Sequence, residues 1–180
     1  ALELLKEFTE PTVVACKHGN PCGVGSADTI EEAWKKAFAA DKVSIYGGIV
    51  VSNREINETI AKDMKSMFLE VIVAPSYTEG ALKMFKKDGS MRNVRVLELA
   101  DISEKQPAEA LDLKKVNGGL IVQNIDSKLL DGDVKVVTEK SPTEKEMEDL
   151  LFAWKVVKFV KSNGIAVAKD LQTVGIGPGQ

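Results

Sequence analysis

The only histidine of the chain, His18, directly follows Lys17 and precedes the sequence GNPCG. Imidazole can take up or release a proton near neutral pH, and a neighbouring ammonium can donate a hydrogen bond to an oxyanion. The pair therefore suits acyl transfer to a weak amine nucleophile. The alternative is an ordinary loop histidine, and the glycine-rich sequence around His18 favours the functional interpretation.

A zinc site is a second possible use of the same residues, because Cys16, His18 and Cys22 carry side chains that bind zinc. A zinc nucleobase deaminase carries H-x-E followed by P-C-x-x-C. Here Asn20 stands in place of the glutamate, and no second cysteine follows Cys22 at that spacing. We therefore expect no metal. Two cysteines are also too few for a disulfide framework, so we expect reduced thiols.

Other candidate positions each have a structural explanation beside the functional one. Residues 18–28 contain three glycines and a proline, which predicts a loop leading to a helix N-terminus, where free N–H groups attract anions. Gly47 and Gly48 either let a ligand approach the backbone or relieve crowding at a strand entry. Glu70 is either an exposed carboxylate at a strand start or a ligand contact. Asn163 has the simpler explanation of a helix C-cap.

Alternating strands and helices position these residues. Apolar patterning predicts strands at 12–16, 47–52, 70–75 and 94–99, which alternate with helices that begin near Thr29, at 56–68 and at 78–87. Helices of about ten residues between strands indicate crossover connections. We therefore expect an α/β fold with a mixed, largely parallel sheet and helices on both faces.

The second half of the chain follows a different pattern. The sequence of residues 111–138 predicts strands added to the fold as a local antiparallel unit. The strand segments lie at 113–126 and 134–139, with turns at Asn117-Gly118 and Asp131-Gly132. A helix from Thr143 to Ser162 and a closing hairpin at 164–179 complete the prediction. We expect residues 1–180 to form a single unit.

The charge balance and hydropathy exclude several classes of protein. The chain has 24 basic and 27 acidic residues with no basic block, so we expect no nucleic-acid partner. No apolar run approaches the ~20 residues that span a bilayer, and the acidic N-terminus is unlike a signal peptide. We expect a soluble, cytoplasmic protein without a membrane partner. The start at Ala1 and the glycine-rich end suggest a piece of a longer chain.

The string KHGNPCG at 17–23 resembles the K-H-x-N-P-[CA]-G motif of AICAR transformylase, the formyl-transfer domain that is joined to IMP cyclohydrolase in the bifunctional purine-biosynthesis enzyme. Similar stretches follow in order: SIYGGIV at 44–50, VIVAP at 71–75, GGL at 118–120, KSN at 161–163 and GIGPGQ at 175–180. The resemblance spans nearly the whole chain and concerns the first of two tandem lobes. It implies a cytidine-deaminase-like lobe without zinc.

The resemblance also implies an activity and roles for individual residues. A formyl group would pass from 10-formyltetrahydrofolate to the 5-amino group of AICAR, giving FAICAR in de novo purine (IMP) biosynthesis. His18 would take the amine proton, Lys17 would stabilise the oxyanion, and Asn163 would orient the substrate or the base. His18, Gly47, Glu70 and Asn163 would contact AICAR. The site would need both lobes and a homodimer, so that this lobe alone would be inactive.

Two departures and two rival interpretations accompany this resemblance. Tyr46 stands where the family usually has Phe, and the arginine of the family's Gln-x-Ser-Arg would lie beyond Gln180. The first rival is a non-catalytic nucleotide-binding or assembly lobe, which needs no turnover. The second is a zinc hydrolase of the deaminase type, which would hold stoichiometric metal.

Overall fold

A computed structural model describes residues 1–86, 91 and 93–179 of the chain. In this part the elements are, in chain order, α1 (Leu2–Leu5), β1 (Thr12–Lys17), β2 (Asn20–Ser26), α2 (Ile30–Ala40), β3 (Ile49–Ser52), α3 (Glu58–Met64), β4 (Val71–Ala74), α4 (Glu79–Phe85), β5 (Arg95–Glu98), β6 (Leu111–Val116), β7 (Gly119–Asn124), α5 (Glu144–Val157), β8 (Ile165–Lys169) and β9 (Gln172–Gly177). Lys87, the last residue of one predicted helix, and Gln180 lie outside the described residues.

The main sheet has seven strands in the order β5-β4-β3-β1-β2-β9-β8. Only the pairs β3–β4 and β4–β5 are parallel, whereas β1–β2, β1–β3, β2–β9 and β8–β9 are antiparallel. The α/β class and the mixed sheet are confirmed, but the prediction of a largely parallel sheet is wrong. The β1–β2 hairpin, which the sequence did not indicate, contributes to the difference, because strands joined by a tight turn must pair antiparallel.

Strand β2 corrects a second prediction, since residues 20–26 belong to the sheet and not to a loop. A Cβ added at Gly23 would overlap the carbonyl oxygen of Ala37, and one added at Gly25 would lie 2.5 Å from the Cβ of Lys36. The two glycines therefore let α2 pack directly on the backbone of β2. Their role is close packing of a helix on a strand, and not the flexibility of a loop.

Helices cover both faces of the sheet, as predicted. On one face, residues of α2, α3 and α4 such as Trp34 and Ile60 form an apolar layer with Val13 and Ala15 of β1. On the other face, residues of α1 and α5 form a second layer with Val14 and Cys16. Successive side chains of β1 thus point into opposite layers, which explains why residues 13–16 are all apolar.

The second half of the chain departs from its prediction in two places. Strands β6 and β7 form a separate antiparallel pair around a turn at Asn117-Gly118, as predicted, but residues 134–139 contain no strand. Helix α5 begins with a Thr143–Glu146 capping box and ends at Val157, with Lys158 as its C-cap, well before Ser162. Asn163 is therefore not the cap of this helix.

No helix in the described part of the chain is long and apolar enough to cross a membrane.

Candidate functional site

The hairpin of β1 and β2 presents Lys17 and His18. Lys17 pairs with Asn20 across the sheet, so only His18 and Gly19 form the turn. Both have positive φ angles, 53° for His18 and 81° for Gly19, which is the conformation of a type I′ turn. A bulge between Ala15 and Cys16 shifts the register just before the turn. The hairpin therefore ends in an exposed imidazole on a tight, well-defined turn.

The backbone of His18 is strained. Left-handed φ angles cost roughly 1–2 kcal/mol for a residue with a Cβ, and only glycine, asparagine and aspartate adopt them routinely. Glycine or asparagine would suit this position of a type I′ turn better than histidine does. Strain of this kind persists where the surrounding structure enforces it, and it is concentrated at functional sites.

Lys17 is held beside a glycine turn. Its ammonium donates a hydrogen bond of 2.6 Å to the carbonyl oxygen of Tyr46. The following residue, Gly47, has a φ of 69° and donates its N–H to the carbonyl of Phe68 at 2.8 Å. A Cβ at Gly47 would make only ordinary van der Waals contacts, at 3.9 Å from the Lys17 nitrogen and 3.6 Å from the Phe68 ring. It is the positive φ that favours glycine here, and the backbone of the turn lies next to the lysine ammonium.

A cleft of about 240 Å³ brings four of the sequence-predicted residues together. It is lined by Lys17, His18, Gly47 and Glu70, together with neighbouring residues. The carboxylate of Glu70 accepts a hydrogen bond of 2.7 Å from Arg95, which is at the start of β5. Sequence reasoning did not identify Arg95, because an isolated arginine at a strand start has no signal of its own.

A larger cleft of about 430 Å³ shares Lys17 and His18 with the first one. Its other walls come from β2, from the loop after α2 with Asp41 and Ser44, and from residues 173–178. Hydrogen bonds from Ser44 and Val43 keep the pKa of the Asp41 carboxyl below its ordinary value, so this wall carries a negative charge at neutral pH. His18 therefore stands between two clefts, with room for a group on either side.

Cys22 lines the larger cleft, where a raised pKa disfavours the thiolate form that acts as a nucleophile. Burial, with small contributions from Cys16 and Asp41, raises the pKa of its thiol to about 12. Burial also raises the pKa of the Cys16 thiol. Both cysteines are free. Across the described residues, the structure contains no group of three or more His, Cys, Asp or Glu side chains that could hold a metal ion.

Asn163 is exposed and lines neither of these two clefts. Its segment is nevertheless connected to the hairpin, because the backbone N–H of Lys161 donates a hydrogen bond of 3.1 Å to the side-chain oxygen of Asn20. The structure thus places Lys17, His18, Gly47 and Glu70 around one cleft and Asn163 in a neighbouring segment. The sequence analysis places Asn20 in the KHGNPCG string and notes it as a departure from a zinc motif, but it does not predict this contact.

Comparison with known proteins gives a consistent result. The model of the AICARFT/IMPCHase bienzyme family matches residues 1–180. The chain is 58% identical to the bifunctional purine biosynthesis protein PurH of Acetivibrio thermocellus over 181 residues, which is all of this chain and 35% of that protein. The PurH proteins of Caldicellulosiruptor saccharolyticus and a Thermoanaerobacter species are 53% and 54% identical over the whole chain, which covers 34% of each. The chain spans about a third of the length of these curated relatives.

Proposed function

Because the chain belongs to the AICARFT/IMPCHase bienzyme family, we propose that residues 1–180 supply the base and the oxyanion-stabilising group of a formyl-transfer site in a longer bifunctional enzyme of purine biosynthesis. The formyl donor is 10-formyltetrahydrofolate and the acceptor is the 5-amino group of AICAR. The observation that carries the proposal is the pairing of Lys17 and His18 at one turn, on the wall of a cleft that also contains Gly47 and Glu70.

The proposed reaction uses each side chain for a step that its chemistry allows. The amine nitrogen of AICAR forms a bond to the formyl carbon, and His18 takes the proton that the amine loses. The formyl oxygen carries negative charge in the tetrahedral intermediate, and Lys17 donates a hydrogen bond to it. The bond from the formyl carbon to N10 of the folate then breaks, and the proton returns from His18 to N10. The products are FAICAR and tetrahydrofolate.

The position of Lys17 supports this role. An ammonium has three N–H donors, and the hydrogen bond to Tyr46 uses one of them. That bond fixes the nitrogen beside Gly47, so the lysine is already oriented when a ligand enters the cleft. Donors that need no rearrangement during the reaction stabilise developing charge most effectively.

The proposed contacts to AICAR, the formyl acceptor, come from Glu70, Gly47 and Asn163. The half-exposed carboxylate of Glu70 and the backbone at Gly47 would hold AICAR, and Asn163 would orient the substrate or the imidazole. The folate and the remaining contacts would come from residues beyond this chain, in a homodimer of the full protein. Residues 1–180 alone would then bind a substrate weakly and catalyse no turnover.

One observation favours the alternative of a non-catalytic assembly lobe. The pair β6–β7 exposes large apolar residues on both faces. By its register, Leu111, Leu113, Leu120 and Val122 lie together on one face, and Val116 and Ile121 lie on the other. Contiguous exposed apolar surface marks an interaction site. An assembly role and a catalytic role are compatible in the full protein, but only the catalytic role requires His18.

The two interpretations are separated by a complementation assay. Residues 1–180 are combined with the remainder of the full-length protein, and FAICAR formation from AICAR and 10-formyltetrahydrofolate is measured. The proposal predicts activity for the mixture and none for either part. A matched mixture containing Lys17→Met should assemble equally well and lose most of its activity. Equal rates for the two mixtures would leave only the assembly role.

A further inference from the structure

Asn20 makes a contact that the local structure of its hairpin does not require. It follows the turn and belongs to strand β2, a position where β-branched side chains are preferred and asparagine is depleted. Its side-chain oxygen accepts the backbone N–H of Lys161, which is 141 residues away in the chain, at 3.1 Å. Asn20 therefore links the turn that presents His18 to a distant segment.

The distant segment, residues 161–163, is held from a second side. Helix α5 ends at Val157, so the N–H of Lys161 lies beyond the regular hydrogen bonds of the helix. The carbonyl of Lys161 accepts the N–H of Gly179 at 2.9 Å. A Cβ added at Gly179 would overlap the backbone of Ser162 and Asn163. The segment is thus clamped between the hairpin and the chain that leaves β9.

The direct pairing of β2 with β9 does not extend to this region. The two strands pair at Gly25 and Gln172, and the Thr173 hydroxyl then bonds to the backbone of Val24. Beyond these contacts, residues 20–22 of β2 and 174–176 of β9 line the larger cleft. The hydrogen bond from Lys161 to Asn20 is therefore a separate connection between the end of the hairpin and the segment that contains Asn163.

We propose that Asn20 is a positioning residue for formyl transfer: its side-chain oxygen holds residues 161–163 beside the turn of His18 and so sets the placement of Asn163 relative to the imidazole. The inference rests on the function proposed above and deepens it. Asn20 itself moves no proton. Loss of its oxygen frees the segment on the hairpin side, and a misplacement of about 1 Å in a catalytic arrangement can cost about a hundredfold in rate.

The test uses the full-length enzyme with Asn20→Ala and Asn20→Asp, each also combined with Asn163→Ala. The aspartate keeps an oxygen that accepts the Lys161 N–H, whereas alanine removes it. We expect Asn20→Ala to lower kcat about ten- to a hundredfold with a smaller change in KM for AICAR. Asn20→Asp should retain most of the rate, and Asn20→Ala should cost nothing further in the Asn163→Ala background, because the effect passes through Asn163.

Several results would overturn this assignment. One is a kcat for Asn20→Ala within twofold of wild type. A second is a loss of kcat on Asn20→Ala that is as large in the Asn163→Ala background as in the wild-type enzyme. A third is a kcat for Asn20→Asp as low as that of Asn20→Ala, with an unchanged unfolding midpoint. The wild-type rate distinguishes the two proposals. A wild-type enzyme that transfers no formyl group overturns both, whereas an active enzyme with a fast Asn20→Ala variant overturns only the role of Asn20.

Discussion

The ammonium of Lys17 donates a hydrogen bond of 2.6 Å to the carbonyl oxygen of Tyr46, 29 residues later in the chain. The contact joins the end of β1 to the glycine turn before β3, so that a cation and the backbone of Gly47 share one cleft. The Tyr46 side chain is 58% exposed and contributes its ring to a contact with Phe68. Lys17 bonds to the backbone of residue 46 and not to its side chain. Tyr in place of the family's usual Phe therefore leaves this contact unchanged.

The turn at His18 and Gly19 gives a prediction about stability. His18→Asn places the sequence Asn-Gly, which type I′ turns favour, where both φ angles are positive. We expect the free energy of unfolding to rise by about 1 kcal/mol, measured by urea denaturation. Gly19→Ala is the matched variant. It should destabilise by about 1 kcal/mol through backbone strain alone, because a Cβ there meets nothing within 4 Å. A destabilised His18→Asn protein would contradict this account of the turn.

The contact between α2 and β2 predicts that Gly23 cannot carry a side chain. Gly23→Ala should lower the free energy of unfolding by about 1–3 kcal/mol or more, because the added Cβ overlaps the backbone carbonyl of Ala37 and a backbone atom cannot move aside cheaply. Gly119→Ala, where a Cβ meets nothing within 4 Å, should change it by less than about 0.5 kcal/mol. Equal effects in chemical denaturation would show that α2 does not pack as described.

The cysteine in the larger cleft should be unreactive. The pKa of the Cys22 thiol is raised to about 12 by burial, so the reactive thiolate is scarce at pH 8. We expect iodoacetamide to modify Cys22 in the folded protein far more slowly than in urea, and peptide mass spectrometry measures the difference. Raising the pH towards the pKa, within the range in which the protein stays folded, should speed the reaction. Rapid modification of folded protein at pH 7 would contradict the raised pKa of the partly buried Cys22 thiol.

A buried ion pair predicts how stability depends on pH. Partial burial of Glu7 raises the pKa of its carboxyl, but hydrogen bonds and charge interactions with Lys158 and Lys105 outweigh this and hold the pKa below its ordinary value of 4.5. The side chains of Glu7 and Lys158 are each only 9% exposed. A lowered folded-state pKa contributes stability that is complete above the unfolded pKa and is lost as the pH falls through the folded pKa.

Glu7→Gln should therefore cost about 2 kcal/mol at pH 7, and the difference from wild type should shrink as the pH falls below 4.5. Lys105→Met is the control, since Lys105 is 59% exposed and its removal should cost less than about 1 kcal/mol. Urea denaturation between pH 3 and pH 8 measures both. A Glu7→Gln effect that stays constant across this range would show that the ion pair is not the cause.

Apolar patterns along the chain predicted the helices and strands that are determined by neighbouring residues. The strands β1, β3, β4 and β5 and the helices between them follow from apolar periodicity. Strand β2 did not, because Gly23 and Gly25 reflect the close approach of α2, which is a contact between distant backbones. The parallel pairs β3–β4 and β4–β5 agree with the crossover pattern, but the expectation of a largely parallel sheet was wrong, since the antiparallel pairs β1–β3 and β2–β9 join strands that are not neighbours in the chain.

The candidate site also contains residues that the sequence reveals and residues that only the structure reveals. Lys17 and His18 are recognisable because their side chains have a distinctive chemistry and are adjacent. The roles of Arg95 and Asn20 are not recognisable in the same way, because their hydrogen-bond partners lie 25 and 141 residues away in the chain. For Asn163 the sequence offers a helix cap beside the role that the resemblance implies. Helix α5 ends too early for the cap, and the neighbouring Lys161 is held by Asn20 and Gly179.

The most direct test of the central claim is the rate of formyl transfer by the full-length enzyme with His18→Asn, compared with wild type. Asparagine keeps the left-handed turn and removes only the imidazole, so folding and AICAR binding should be preserved. We expect kcat to fall by about a thousandfold, while the Kd for AICAR stays within about tenfold, or 1.4 kcal/mol. A folded His18→Asn enzyme that transfers formyl groups within tenfold of the wild-type rate would assign the base to another residue.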